Sequence, residues 1–403
     1  MKIPAVQTEA AGNGWLVALV LFFTFAFFYS HGCSDVDRFW MAWMDTLAAY
    51  PSFTEGFAAV TRTGDYPAGS LFILYLIKSL SIAQGWDVFV LLKAVLLVFL
   101  LASSAVFYYL TRNLFATLLM HFFWLLSSVM LGYLDILYTP FLLLSLWALS
   151  MRRWTQAAAW FCVCCAIKYQ PLIIAPFVAV YLWKQLAKEG LPARSAAWAV
   201  CWPVLVYLLG MLWWVGMDLW QSFYNGLLHS RLSFQGLNAY WAYMQIKVLS
   251  GEPIQQVRGA TFAILYGSRL LFAGLYLLLL WRFFQQRRIS THIDFLLFAM
   301  TGFYTYFIVI SGVHENHLFV ATVLASCLYV SSDRHRAIAL FVLLMNAINL
   351  VLFGGLSGSG LGFAPVFVID MSIPLALINT FFYFYLYHSL WTGRLSHCSD
   401  TVR

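Results

Sequence analysis

Stretches of about twenty consecutive apolar residues recur along this chain, and they constrain its fold more than any other feature. A stretch that long crosses a hydrocarbon core of about 30 Å as a helix, and lipid tolerates only helices and closed barrels because every backbone group must find its partner internally. The runs fall near 14–31, 87–110, 114–133, 136–151, 154–170, 171–183, 195–217, 261–282, 293–312, 316–331, 336–354 and 371–391. Hydrophobic residues make up 63% of the chain and charged residues 10%, where a soluble domain carries roughly 25%. A water-soluble fold is therefore excluded. The expectation is a single polytopic all-α membrane domain over residues 1–403, with about twelve transmembrane helices.

Sidedness follows from the basic residues. Short connections at Arg112, Arg152–Arg153, Lys184–Arg194, Arg282–Arg288 and Arg334–Arg336 fall on one side, which the positive-inside rule makes cytoplasmic. The net charge of +7 thus records topology and is no signal for nucleic acid. The stretch 68–83 is short for a span and carries Lys78, so it is expected as an interfacial helix. Both termini are then cytoplasmic, and the run from Trp15 reads as a retained first span. Two long segments face outward: a first outer loop, 32–86, and a second, 218–260. Chemistry is expected on that face, where the connections are long enough to build a site. Cys162 and Cys165 form a C-x-x-C inside an apolar run, where helix packing is the expected role.

The ionisable residues cluster at span ends on the outer face. Asp35 and Asp37 follow the first span in SDVDRFW, beside Arg38. A carboxylate against a low-dielectric wall gains basicity, which suits a general base, although a solvated loop acid has the same sequence. Asp65, Tyr66 and Pro67 form a turn into the interfacial helix. Asp135 opens the fourth span, and Lys168 and Gln170 close the fifth. An acid inside the bilayer edge needs a partner, whereas Lys168 either snorkels to the interface or meets a lipid phosphate. His314, Glu315, Asn316 and His317 stand in a row between two apolar helices, a density that packing alone does not account for. H-E-N-H lacks the i, i+4 spacing of a zinc helix. A divalent cation held by Asp35, Asp135 and Glu315 is the remaining metal arrangement.

In order, SDVDRFWMAW, GDYPAGSLFILYL, GYLDILYTPFLLL, AIKYQPLIIAPF and VHENHLF resemble the GT-C superfamily of polyprenyl-phosphate-sugar-dependent glycosyltransferases. The likeness is to its bacterial multi-span members and to the glucosyltransferases that extend dolichol-linked oligosaccharide. A weaker stretch, Ser233–Met244, resembles the family's Asn- and Trp-containing segment. The resemblance implies transfer of a hexose from a polyprenyl-phosphate donor to a glycan or lipid-linked acceptor. It places the reaction on the non-cytoplasmic face, most simply at a bacterial inner membrane in cell-envelope polysaccharide biosynthesis. It implies Asp35 as base with Asp37 as the competitor. Arg38, Asp65, Tyr66, Asp135, Lys168, Gln170, His314 and Glu315 would face the donor, and Asn238 and Trp241 the acceptor. No cofactor is obligatory, because phosphate on a lipid is already a good leaving group, and one base with no second carboxylate nucleophile points to inversion. The sequence departs from many relatives at Pro67–Ala68, where they carry two prolines, and at Tyr133–Leu134, where a Gln often precedes the acid. A polytopic transporter or lipid-linked-saccharide flippase is the rival expectation, for which inverted repeats and midplane charges would be the signature.

Overall fold

Each of the twelve apolar ranges carries a helix, within a few residues of the expected bounds. The structure is a computed structural model, and it describes residues 14–62, 64–190, 193–227, 236–251, 261–286, 291–355 and 371–395. Residues 1–13, 63, 191–192, 228–235, 252–260, 287–290, 356–370 and 396–403 lie outside the described residues, and with them the N-terminal segment, Arg287–Arg288, Cys398 and parts of the second outer loop. Among the described residues all regular structure is helical. Among the described residues five helices are long and apolar enough to cross a membrane: those over Val88–Thr111, Trp198–Val215, Ala263–Gln285, His292–Val309 and Asp333–Gly354. Shorter apolar helices, such as Gly14–Phe28 and Trp154–Ile167, stand between them.

The chain divides into two units. The first comprises residues 1–171, 194–229 and 354–360. Here the segment expected as an outer loop is mostly helix. A π-helical turn, Val36–Met41, runs into Ala42–Ala48, and a further helix follows over Phe53–Thr61. Ser52 starts the latter by accepting a hydrogen bond from the Glu55 amide at 3.4 Å, and Phe53, Phe57 and Val60 bury one face. That S-x-x-E signature with apolar residues at i, i+4 and i+7 was readable in the sequence as a helix start. Ala68–Gln84 begins after Pro67 and ends at Gly85, whose φ of +69° is the left-handed turn that glycine takes freely. It packs on Ala42–Ala48, with Lys78 reaching Asp45 at 2.8 Å, and on Trp154–Ile167.

Helix Leu114–Leu125 does not continue straight. It widens into a π turn, Leu126–Met130, and ends at Gly132 with φ +81°. The amides of Gly132 and Tyr133 turn back onto the Ser128 and Ser127 carbonyls, at 2.6 and 3.0 Å. A 3-10 turn, Leu134–Leu137, then leads into Thr139–Ser150. His121 ties three helices together, with Thr24 at 3.1 Å on one ring nitrogen and Ser104 at 2.9 Å on the other. Cys162, Cys164 and Cys165 are buried free thiols in the packing of Trp154–Ile167.

The second unit comprises residues 172–193, 230–353 and 361–403. Its centre is His292–Val309, started by a capping box between Thr291 and Asp294 and buried on almost every face. Around it pack Ala175–Glu189, Thr261–Gln285, Phe319–Ser331, Ala239–Leu249 and Ser372–Trp391. Gly302 makes room for the Phe177 ring, since a Cβ there would stand 2.3 Å from a ring carbon. Lys184 closes the Thr261–Gln285 helix by donating to the carbonyls of Phe283 and Gln286.

In the first unit, Gly69 permits the closest approach between Ala68–Gln84 and Trp154–Ile167. A Cβ would meet the Ala166 carbonyl oxygen at 2.5 Å, and the neighbouring Ser70 hydroxyl donates to the Ile167 carbonyl at 2.6 Å. Gly69→Leu should therefore separate the two helices at a cost of about 1–3 kcal/mol. The expected readout is a lower melting temperature in detergent, whereas Gly85→Ala, which meets no neighbouring atom, should lose only the cost of its left-handed turn.

Candidate active site

The π turn and the ended helix leave carbonyls without intrahelical partners, as any helix terminus does. In this fold the same few groups satisfy them and place two acids. The Cys33 amide donates to the Leu131 carbonyl at 2.7 Å, and the Trp40 indole donates to the Gly132 carbonyl at 3.1 Å. Ser30 donates to the Met130 carbonyl at 2.6 Å. From Val88–Thr111, the fully buried Lys93 ammonium donates to the carbonyls of Val129 and Met130, the latter at 3.2 Å, and to the Ser30 hydroxyl at 3.0 Å. Gly32 and Gly132 let the two strands of chain touch, for a side chain on Gly132 would collide with Val36 at 2.6 Å. Segment 30–40, which carries Asp35, is thus laced to segment 129–135, which carries Asp135.

Asp135 is fully buried and faces the Lys168 ammonium at 3.3 Å. Lys168 is itself 5% exposed. Its ammonium turns inward, donates to the Tyr66 hydroxyl and lies 4.2 Å from the centroid of that ring. This differs from the snorkelling geometry considered for it, because a buried carboxylate and a phenol offer more to a dehydrated ammonium than an open interface does. Trp40 and Trp43 wall the Tyr66 ring at centroid distances of 5.0 and 5.3 Å. Burial, with the charges of Asp135, Asp65 and Asp35, pushes the Tyr66 phenol well above its ordinary value, so it keeps its proton.

Asp35 is half-buried and Asp37 exposed. Burial raises the Asp35 carboxyl above the ordinary 3.8, opposed by Lys168 and Arg38 and assisted by Asp65 and Asp135. Those interactions bring Asp35, Asp65, Tyr66, Asp135 and Lys168 into one electrostatic cluster, with Arg38 exposed at its edge. Gln170 begins the 3-10 turn Gln170–Ile174, and its amide oxygen is buried with no hydrogen-bond partner among the described residues.

The Asp65–Tyr66 turn is held from far along the sequence. In helix Asp218–Leu227, Ser222 donates to the Tyr66 carbonyl at 2.7 Å, and Asn225 donates to the carbonyls of Thr61 and Gly64 at 2.7 and 2.9 Å. Tyr169 meets Ser222 at 3.0 Å. Neither Ser222 nor Asn225 stands out in the sequence. Lys93 carried one signal, a charge inside an otherwise apolar span, which implies a buried partner.

The remaining expected residues belong to the second unit. Glu315 is buried and His314 half-buried, at the start of a short 3-10 turn. The His314 amide donates to the His317 ring at 3.3 Å, and Asn349 donates to the Glu315 carbonyl at 2.6 Å. Asn238 accepts from the Trp241 amide at 2.9 Å and so caps Ala239–Leu249. The Trp241 indole donates to Ser372 at 2.8 Å and its ring packs edge-on to Phe353. Among the described residues no three His, Cys, Asp or Glu side chains gather as metal ligands would. The chain matches no family model, and no curated protein matches it.

Two stability predictions follow from this geometry. Asp135→Asn strands the Lys168 charge in the interior and should cost about 3–5 kcal/mol, while the double variant Asp135→Asn, Lys168→Met should recover most of it. Lys93→Met leaves the Val129 and Met130 carbonyls without their donor and should cost about 1–3 kcal/mol. Thermal unfolding in detergent reads both, and equal melting temperatures for Asp135→Asn and its double variant would contradict the first.

Proposed function

We propose that this protein is a membrane-embedded glycosyltransferase that moves a hexose from a polyprenyl-phosphate donor to a glycan or lipid-linked acceptor. The reaction is placed on the non-cytoplasmic face of a polytopic membrane protein of about twelve spans, with inversion at the anomeric carbon. The observation that carries this reading is the cluster of Asp35, Asp65, Tyr66, Asp135 and Lys168, whose five members sit on four of the segments that resemble the GT-C superfamily in order.

In this mechanism Asp35 takes the proton of the acceptor hydroxyl. The oxygen forms a bond to the anomeric carbon as the bond from that carbon to the phosphate oxygen breaks, and its electron pair leaves with polyprenyl phosphate. Half-burial supports Asp35 as base over the exposed Asp37, because desolvation raises basicity while the site still admits a hydroxyl. Lys168 is engaged by Asp135 and Tyr66, so it fixes the Tyr66 turn and tempers the local negative charge. Arg38 is the accessible cation beside Asp35 and the better candidate to meet the leaving phosphate. His314 and Glu315 enter this reading through the resemblance, as donor-side groups.

The test is transfer from polyprenyl-phosphate glucose, mannose and galactose, assayed in parallel in membranes containing the overproduced protein. Asp35→Asn should lower the rate by about 10²–10⁴-fold, the usual contribution of a general base, and Asp37→Asn should leave it near wild type. Because the Asp35 carboxyl lies above 3.8, its basic form is lost as pH falls through that raised value. The acid limb of the rate profile should therefore have its midpoint above 3.8 and be absent from the residual rate of Asp35→Asn. Wild-type rates in Asp35→Asn would remove the base and with it this reading.

A further inference from the structure

The first unit carries an open groove of about 910 Å³ between Phe53–Thr61 and Asp218–Leu227. Its size falls in the range of small-molecule sites. The Asp218–Leu227 wall divides its residues sharply. Leu219 and Ser222 are buried inward, while Trp220 and Tyr224 remain 46% and 59% exposed on the groove side. Thr61, Arg62, Asp218 and Gln221 supply polar groups of the lining. Two aromatic rings beside planar hydrogen-bonding groups offer a sugar what it lacks in water: a flat apolar surface for its C–H face, and donors and acceptors for its hydroxyls. Among the described residues the lining holds one cation and one anion. That balance suits a neutral ligand and opposes a phosphate or an anionic headgroup, which would draw several cations.

The groove shares a wall helix with the candidate active site. The helix that forms its wall is the one whose Ser222 and Asn225 hold the Asp65–Tyr66 turn, and the Arg62 side of the groove lies directly before that turn in the chain.

We infer that this groove binds a neutral saccharide, the glycan portion of the acceptor, with Trp220 and Tyr224 as its stacking surfaces. The assignment of the glycan as acceptor rests on the transferase reading above. The binding itself does not, and it is measured without turnover. Full-length protein in phosphatidylcholine nanodiscs is probed by saturation-transfer NMR with neutral trisaccharides of glucose, of mannose and of galactose.

Wild type should transfer saturation to at least one of them. The double variant Trp220→Ala, Tyr224→Ala should reduce that signal fivefold or more, and Trp220→Phe should keep most of it. Absence of transfer in wild type, or an undiminished signal in the alanine double variant, would overturn the inference. So would native mass spectrometry showing a phospholipid that is bound by wild type and released in the double variant. Donor turnover judges the transferase reading separately. A protein that discharges donor but binds no trisaccharide refutes the groove alone, and one that binds without discharging donor refutes the catalytic reading alone.

Discussion

The carbonyls at the end of helix Leu114–Met130 have to be satisfied somewhere, and the rest of the first unit is arranged around how this is done. An ended helix in an apolar surrounding cannot leave its last oxygens to water. Here Lys93, Ser30, the Cys33 amide and the Trp40 indole take them. Because three of these donors lie within ten residues of one another, the satisfaction of one helix end also fixes the path of the segment that carries Asp35. The position of one acid is thereby set by the termination of the helix that precedes the other. π turns at Val36–Met41 and Leu126–Met130 mark the two places where regular helix gives way to this lacing.

The electrostatics of the cluster follow from that placement. Three carboxylates gather around one buried ammonium, so the charges do not cancel pairwise. Asp135, wholly buried, has the first claim on Lys168, and Tyr66 accepts from the same ammonium. Asp35 sees the same cation from a half-exposed position and is left with raised basicity. A gradient of burial along Asp135, Asp35 and Asp37 divides chemically identical side chains into a structural partner, a candidate base and a solvated acid.

Much of the helix layout was legible in the sequence, because runs of twenty apolar residues admit few other structures. Asp135 was legible as an acid that needs a partner, whereas Lys168, expected to snorkel or to meet a lipid phosphate, was not legible as that partner. The interfacial helix over 68–83 was legible, but the helices Val36–Met41, Ala42–Ala48 and Phe53–Thr61 were not, although Ser52–Glu55 spelled a helix start. An apolar run marks a span, and amphipathic segments such as Phe53–Thr61 do not look like spans. Ser222 and Asn225 were invisible for a different reason. Their role depends on contacts more than 150 residues away, which no local pattern encodes.

That distance orders the making of the site in time. The chain is synthesised from its N-terminus, so Tyr66, Asp135 and Lys168 all exist before Ser222 has been joined to the chain. Until then the carbonyls of Thr61, Gly64 and Tyr66 lack the donors they have in the finished fold. The turn that presents Asp65 and Tyr66 can thus be completed only once more than half of the 403 residues have been joined, when the helix that walls the groove arrives, and a nascent chain carries the acids of the site well before it carries the clasp that holds them.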